Sequence, residues 1–166
     1  MTRLMKVSGL TMDPYSNTPI IILKEVDGDR SLPIWIGLLE ATSIATQLEN
    51  IEFPRPMTHD LIKNLMNHLG VKVEKVEVCD LRDNTFYAFI YIQNGDKVSR
   101  IDSRPSDAIA IALRTQAPIY VRQEVIEMSK GFETARGEAE LTDEEAKKWT
   151  EVLESLSPED FGKYKM

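Results

Sequence analysis

The sequence predicts an α+β fold: duplicated β-β-β-α units forming antiparallel or mixed sheet with packed helices, followed by a C-terminal helical segment. Three observations predict it. Short apolar runs of period two are separated by turn-forming residues, each group of three runs gives way to helical spacing, and the first group recurs when the chain is shifted by 67 residues. At that offset Asp13, Asn17, Thr18, Gly28, Asp29, Ile34, Ala41, Ile44 and Ala45 fall on Asp80, Asn84, Thr85, Gly95, Asp96, Ile101, Ala108, Ile111 and Ala112.

In chain order, Met5–Met12 and Pro19–Val26 read as strands joined by Asp13-Pro14-Tyr15-Ser16-Asn17, and Asp27-Gly28-Asp29 turns the chain into a third strand over Ser31–Ile36. Leu38, Ala41, Ile44, Ala45 and Leu48 then line one stripe of a helix ending near Glu49. A second helix, from His59 to about Leu69, carries Thr58 as a natural N-cap, a Leu61-Leu65-Leu69 stripe and Gly70 as its stop. The second unit comprises strands over Val71–Leu81, Thr85–Gln93 and Lys97–Ile101 and a helix from Pro105 to about Thr115. Pro118–Val121 reads as a short strand and Gln123–Ser129 as the start of another helix. The expected core includes Trp35, Ile44, Leu48, Leu61, Leu65, Phe89, Ile101, Ile111 and Leu113.

Residues 1–129 form the expected domain, and 130–166 a helical appendage packed on it or on a partner subunit. The appendage holds ten acids and six bases, with Thr142 and Glu145 in capping-box spacing before the apolar stripe Ala146, Trp149, Val152, Leu153, Leu156. The chain of 166 residues is 42% apolar and 28% charged, a balance that excludes a disordered chain. Its 27 acids against 20 bases give a net charge of -7, which argues against binding nucleic acid through bulk charge while leaving a local basic groove open. A lone Cys79 excludes an intrachain disulfide and a cysteine-built zinc site. No apolar run approaches the ~20 residues of a membrane helix, and the start lacks a signal-peptide stretch, so a cytoplasmic protein with no membrane partner is expected.

Polar residues gather where strands give way to helices. Glu40 stands in the opening turn of the first helix, Arg55-Pro56-Met57-Thr58-His59-Asp60 precedes the second, and Asp102-Ser103-Arg104-Pro105-Ser106-Asp107 leads into the third. Pro105 suits a first helical position, which places Asp107 in the first turn. Carboxylates there complement helix N-termini, and arginines pair with them, with no catalysis required. The same types also suit phosphodiester cleavage: carboxylates hold a divalent ion or a water, arginine forks onto phosphate, and histidine carries a proton near neutral pH. On that account His59, Asp102, Asp107 and Glu40 are the catalytic candidates, Arg55 and Arg104 the phosphate holders, and Asp102 and Asp107 the ligands of a Mg²⁺ or Mn²⁺ ion; no organic cofactor is expected. A Gly-rich phosphate loop, a His-Glu-x-x-His helix and a serine nucleophile elbow are all missing from the sequence.

Several blocks in order carry a family resemblance. Leu32-Pro33-Ile34-Trp35-Ile36-Gly37, Glu40-Ala41, Ile44-Ala45 and Arg55 to Asp60 resemble the first half of the bifunctional nuclease domain. Asp80 to Ala88, Asp102 to Ala108, Ala110, Ala112-Leu113-Arg114 and Ala117-Pro118-Ile119 resemble its second half, so the resemblance covers about residues 4–127. It implies a mixed α+β domain with DNase and RNase activity, acting on RNA or DNA as substrate. The expected assembly is a homo-oligomer, most simply a dimer, because meanders leave edges that a neighbour protects. A non-catalytic binding or regulatory scaffold and a phosphate- or nucleotide-ligand domain are the competing readings.

Overall fold

The computed structural model describes residues 1–136, so the part of the expected appendage beyond residue 136, with its Thr142 cap and Trp149 stripe, lies outside the described residues. The elements are β1 (Thr2–Met12), β2 (Pro19–Glu25), β3 (Ser31–Trp35), α1 (Leu38–Leu48), α2 (Thr58–His68), β4 (Lys72–Arg82), β5 (Thr85–Asn94), β6 (Lys97–Ser103), α3 (Pro105–Thr115), β7 (Ile119–Arg122) and α4 (Gln123–Arg136). Among the described residues, four helices and one seven-stranded mixed sheet make the α+β class that the patterning predicts.

The sheet runs β3-β2-β1-β7-β4-β5-β6. Each triplet of strands is an antiparallel meander, and β7 joins the two, antiparallel to β1 and parallel to β4. Ile119 of β7 stands opposite both Met5 and Val76, and Val121 opposite both Arg3 and Val78. The inward residues at this seam, Met5, Val76, Val78, Ile119 and Val121, are all buried, which fixes the register: a one-residue slip would turn them to the other face. β5 shows the same alternation, with Ala88 and Ile90 buried toward α3 and Tyr87, Phe89 and Tyr91 only half-buried on the opposite face.

Helix α3 packs on β4 and β5 and is flanked by α1 and α2. Its small residues permit the close approach: Ala108, Ala110 and Ala112 are buried, as are Ala41 and Ala45 on α1. Pro105 occupies the first turn as expected, and Gln116 in the left-handed region ends the helix. α4 follows β7 without a loop, and its Val125 and Ile126 are fully buried against the core.

Both meanders share one order of elements and pairings, and the 67-residue offset holds at the two helices, Leu38–Leu48 and Pro105–Thr115. It does not hold at the hairpins. β1 and β2 are joined by residues 13–18, whereas β4 and β5 are joined by Asp83 and Asn84 alone, both at positive φ as a two-residue hairpin turn requires. Asp80, aligned by sequence with the loop residue Asp13, therefore lies inside β4.

Within the expected core, Ile44 and Ile111 are buried, and Trp35, Phe89 and Leu113 are half-buried. Leu48, Leu61, Leu65 and Ile101 are exposed instead. On α2 the face turned to the core carries His59, Ile62 and Met66, so the Leu61-Leu65 stripe one residue back points outward. Ile101 sits on the edge strand β6, which is exposed along nearly its whole length. The N-cap of α2 is Met57 in place of Thr58, because the Asp60 carboxylate reaches back from the first turn to accept the Met57 N–H at 3.0 Å. These placements predict a contrast in urea unfolding: Ile44→Ala or Ile111→Ala lowers stability by about 2–5 kcal/mol, and Leu61→Ala by less than about 1 kcal/mol.

Candidate active site

Three helices begin around one cleft, and each has an acid at its third position: Glu40 on α1, Asp60 on α2 and Asp107 on α3. A carboxylate there is favoured by the free amides and the positive end of the helix dipole. Gly37 precedes α1 with no side chain, and a Cβ at that position would collide with the Glu40 carboxylate. The cleft, about 310 Å³, is walled by these helix starts and by Thr46, Phe53 and Met57.

Arg104, at the start of α3, forks across it. Its Nε donates to Asp107 Oδ2 at 2.7 Å, its Nη2 to Asp107 Oδ1 at 3.2 Å, and its Nη1 to Glu40 Oε1 at 2.7 Å. The guanidinium is mostly exposed, so its remaining N–H groups face solvent. Behind it, Asp107 Oδ1 lies 2.9 Å from His59 Nε2, and His59 Nδ1 lies 2.7 Å from Ser43 Oγ. Ser43 also accepts from Arg114 Nη2, at 3.1 Å on Oγ and 3.1 Å on its carbonyl. Buried Arg114 further donates to Asp60 Oδ1 at 2.6 Å and to the Ala110 carbonyl at 3.0 Å.

Donor accounting fixes one proton of the pair. Asp107, ionised, can only accept, so Nε2 carries a proton and donates it to Asp107. Arg114 can only donate, so the Ser43 hydroxyl accepts from it, and towards an unprotonated Nδ1 the hydroxyl is the donor. Burial alone would raise the Asp107 carboxyl, but hydrogen bonds from Arg104 and His59 outweigh it and hold the group below the usual carboxylate range. Asp60 behaves likewise: burial pushes it up, while Arg114 and the Met57 N–H bring it down. Arg104 is held more firmly protonated by Asp107 and Glu40.

The structure thus brings together four of the sequence-predicted residues, Glu40, His59, Arg104 and Asp107. It does not bring in the other two. Arg55 is exposed on the loop between α1 and α2 and forms no part of the cleft wall. Asp102 is exposed on β6 opposite Phe89, and opposed residues share a face, so it points away from the helices. Three contributors went unassigned in the sequence: Ser43, Asp60 and Arg114. Arg114 left a readable signal, since an arginine directly after the apolar run Ala108–Leu113 is drawn into the core and calls for a partner there. Ser43 left none, being one more small residue on α1.

As they stand, these donors do not fit the expected Mg²⁺ or Mn²⁺ ion. Asp102 is on the other face, Arg104 already fills the cation position between Glu40 and Asp107, and among the described residues no three His, Cys, Asp or Glu side chains cluster as ligands.

The fold and cleft define an α+β domain with a histidine held between a carboxylate and a hydroxyl beside an exposed arginine. The chain belongs to the bifunctional nuclease domain family, whose model matches residues 21–133. It is 41% identical over 161 residues to an uncharacterized protein of Mycobacterium tuberculosis, covering 95% of this chain and 96% of that one. It is 32% identical over 109 residues to Bifunctional nuclease 1 of Oryza sativa subsp. indica, covering 63% of this chain and 33% of the rice protein. Bifunctional nuclease 2 of Arabidopsis thaliana is 30% identical over 119 residues, covering 69% of this chain and 36% of that one, so the match spans about a third of the plant proteins. No described helix is long and apolar enough to cross a membrane.

The depressed carboxyls set an acid limit. A carboxyl with a lowered folded pKa adds stability above its unfolded pKa and loses it as pH falls through the folded value. Asp60 and Asp107, both ionised at neutral pH, give a melting temperature that is flat near pH 7 and falls below about pH 4. Asp107→Asn flattens that acid fall, as pH-dependent thermal melts will show.

Proposed function

We propose that the protein is a phosphodiester hydrolase acting on RNA or DNA, with the linked Ser43, His59 and Asp107 as its reacting centre. The observation that supports this reading is the His59 imidazole bridging Asp107 and Ser43, with Arg104 exposed at the mouth. The family match supports a nucleic-acid substrate.

In this reading His59 Nδ1 takes the Ser43 proton as Oγ attacks phosphorus, and Asp107 steadies the imidazolium that forms. The cation of Arg114 beside Oγ favours the developing alkoxide. Arg104 holds the phosphate with its free N–H groups, and His59 returns the proton to the leaving oxygen. Water then attacks the phosphorus of the serine–nucleotide diester: His59 takes the water proton and returns it to Ser43 Oγ as the P–Oγ bond breaks, which releases the second product as a phosphomonoester.

The test is cleavage of single-stranded RNA and DNA in Mg²⁺, Mn²⁺ and chelator, with each variant purified identically and its fold checked by melting. His59→Ala, Asp107→Asn and Ser43→Ala each lower the rate by about 10²–10⁴. Full cleavage by His59→Ala overturns the assignment.

Self-association belongs to the same proposal, supported by the outward stripe of Leu61, Leu65 and Leu69 on and just after α2. Sedimentation of the full chain gives a dimer, and Leu61→Glu with Leu65→Glu shifts it to monomer.

A further inference from the structure

The sheet face turned away from α3 carries a second chemistry that the cleft does not use. Tyr87, Phe89 and Tyr91 alternate along β5 with the buried Ala88 and Ile90, so all three rings stand on this face. Tyr120 of β7 joins them, since its register partner Glu77 also stands opposite Phe89. Each ring is met by a cation. The Arg82 guanidinium lies 4.1 Å from the Tyr87 ring centre and that of Arg100 4.5 Å from Phe89, while Lys75 Nζ lies 4.3 Å from Tyr91 and 5.5 Å from Tyr120.

Charge on this face runs against that of the whole chain. Lys75 and Arg122 share one buried acid, Glu77, and Arg82 pairs with Asp80. Arg100 is exposed on the edge strand, with Asp102 opposite Phe89 as the remaining acid of the row. Four cations against three acids leave a small positive excess on a protein of net charge -7. The face is also rich in rings, with Tyr87, Phe89, Tyr91 and Tyr120 together. It interleaves rings and guanidinium groups, the surface on which unpaired bases stack while their phosphates meet cations.

We infer that this face is a platform for single-stranded nucleic acid, with bases stacked on the ring–guanidinium pairs of β5 and phosphates held by Arg82, Arg100 and Arg122. The spacing selects the single strand. The Phe89 and Tyr91 ring centres are 6.5 Å apart with their planes at 77°, so each offers a separate face. Duplex bases, stacked about 3.4 Å apart with their faces covered, cannot reach them.

This inference rests on the nucleic-acid reading above, and the experiment separates the two. Binding is measured on the full chain carrying His59→Ala, which keeps the probe intact, by fluorescence anisotropy. The probes are labelled RNA and DNA single strands of one sequence, about 16 nucleotides long, and the matching duplex. The platform gives single-strand binding, to RNA, to DNA or to both, that is about tenfold tighter than duplex binding. Phe89→Ala with Tyr91→Ala weakens it about tenfold or more. Arg100→Glu, on the exposed edge where no core is disturbed, weakens it similarly and makes its salt dependence shallower. Should the ring variant melt early, Arg100→Glu and the salt slope decide. Absence of single-strand binding, or binding unmoved by Arg100→Glu, overturns the platform even where the chain without His59→Ala cleaves. Platform binding without cleavage by that chain overturns the hydrolase reading alone.

Discussion

The buried guanidinium of Arg114 is the constraint on which the helical layer depends. A cation taken out of water is tolerated only if its donors are met, and leaving one unpaired costs several kcal/mol. Its partners come from three helices: Asp60 on α2, the Ser43 hydroxyl and carbonyl on α1, and the Ala110 carbonyl on its own α3. One side chain thereby sets the mutual positions of α1, α2 and α3. Lysine could not replace it, since a point charge lacks the fork that reaches a carboxylate and a carbonyl together. His59 is held by the same arrangement, with Nδ1 against the Ser43 hydroxyl that Arg114 fixes and Nε2 donating to Asp107.

The sheet does for the strands what Arg114 does for the helices. Each meander alone would present one unpaired edge toward the other, and β7 satisfies both edges, with Ile119 and Val121 filling the buried seam. On the far side of that seam Glu77 is buried yet ionised: burial pushes its carboxyl up, and hydrogen bonds from Lys75 and Arg122 more than reverse the effect. Arg122 belongs to β7 and Glu77 to β4, so the pair ties the parallel strands across the outer face. The two faces of one sheet thus carry separate polar systems.

Most elements were legible because their periods are unambiguous; α3 begins and ends where its proline and its apolar spacing place it. The errors fall where one pattern admits two faces. On α2, Leu61-Leu65-Leu69 and Ile62-Met66 both recur every four residues, and only the packing of α3 selects the second. Asp102 and Asp107 are close in sequence, but β6 ends between them, and the turn into α3 sends their side chains to opposite faces. Arg55 shares a motif with His59 yet precedes the helix that positions it. The histidine, Glu40, Arg104 and Asp107 were readable from their placement at helix starts. Ser43 was not, since its role comes from a contact with a helix far along the chain.

On the proposed hydrolase reading, the charges of the cleft set what phosphate binding has to change. Glu40, Asp60 and Asp107 carry three negative charges against the two of Arg104 and Arg114. A phosphate meeting this set as it stands would face a net negative charge and little attraction. Arg114 is buried and committed to Asp60, so the adjustable cation is Arg104, mostly exposed and shared between two acids. Its bidentate hold on Asp107 involves Nε and Nη2, whereas Glu40 receives Nη1 alone. The single bond is the weaker tie, and exchanging Glu40 for a phosphate oxygen would keep Asp107 charged and His59 oriented. On the hydrolase reading proposed above, Glu40 would be the occupant that a phosphate displaces, which would account for an acid at the mouth of the cleft.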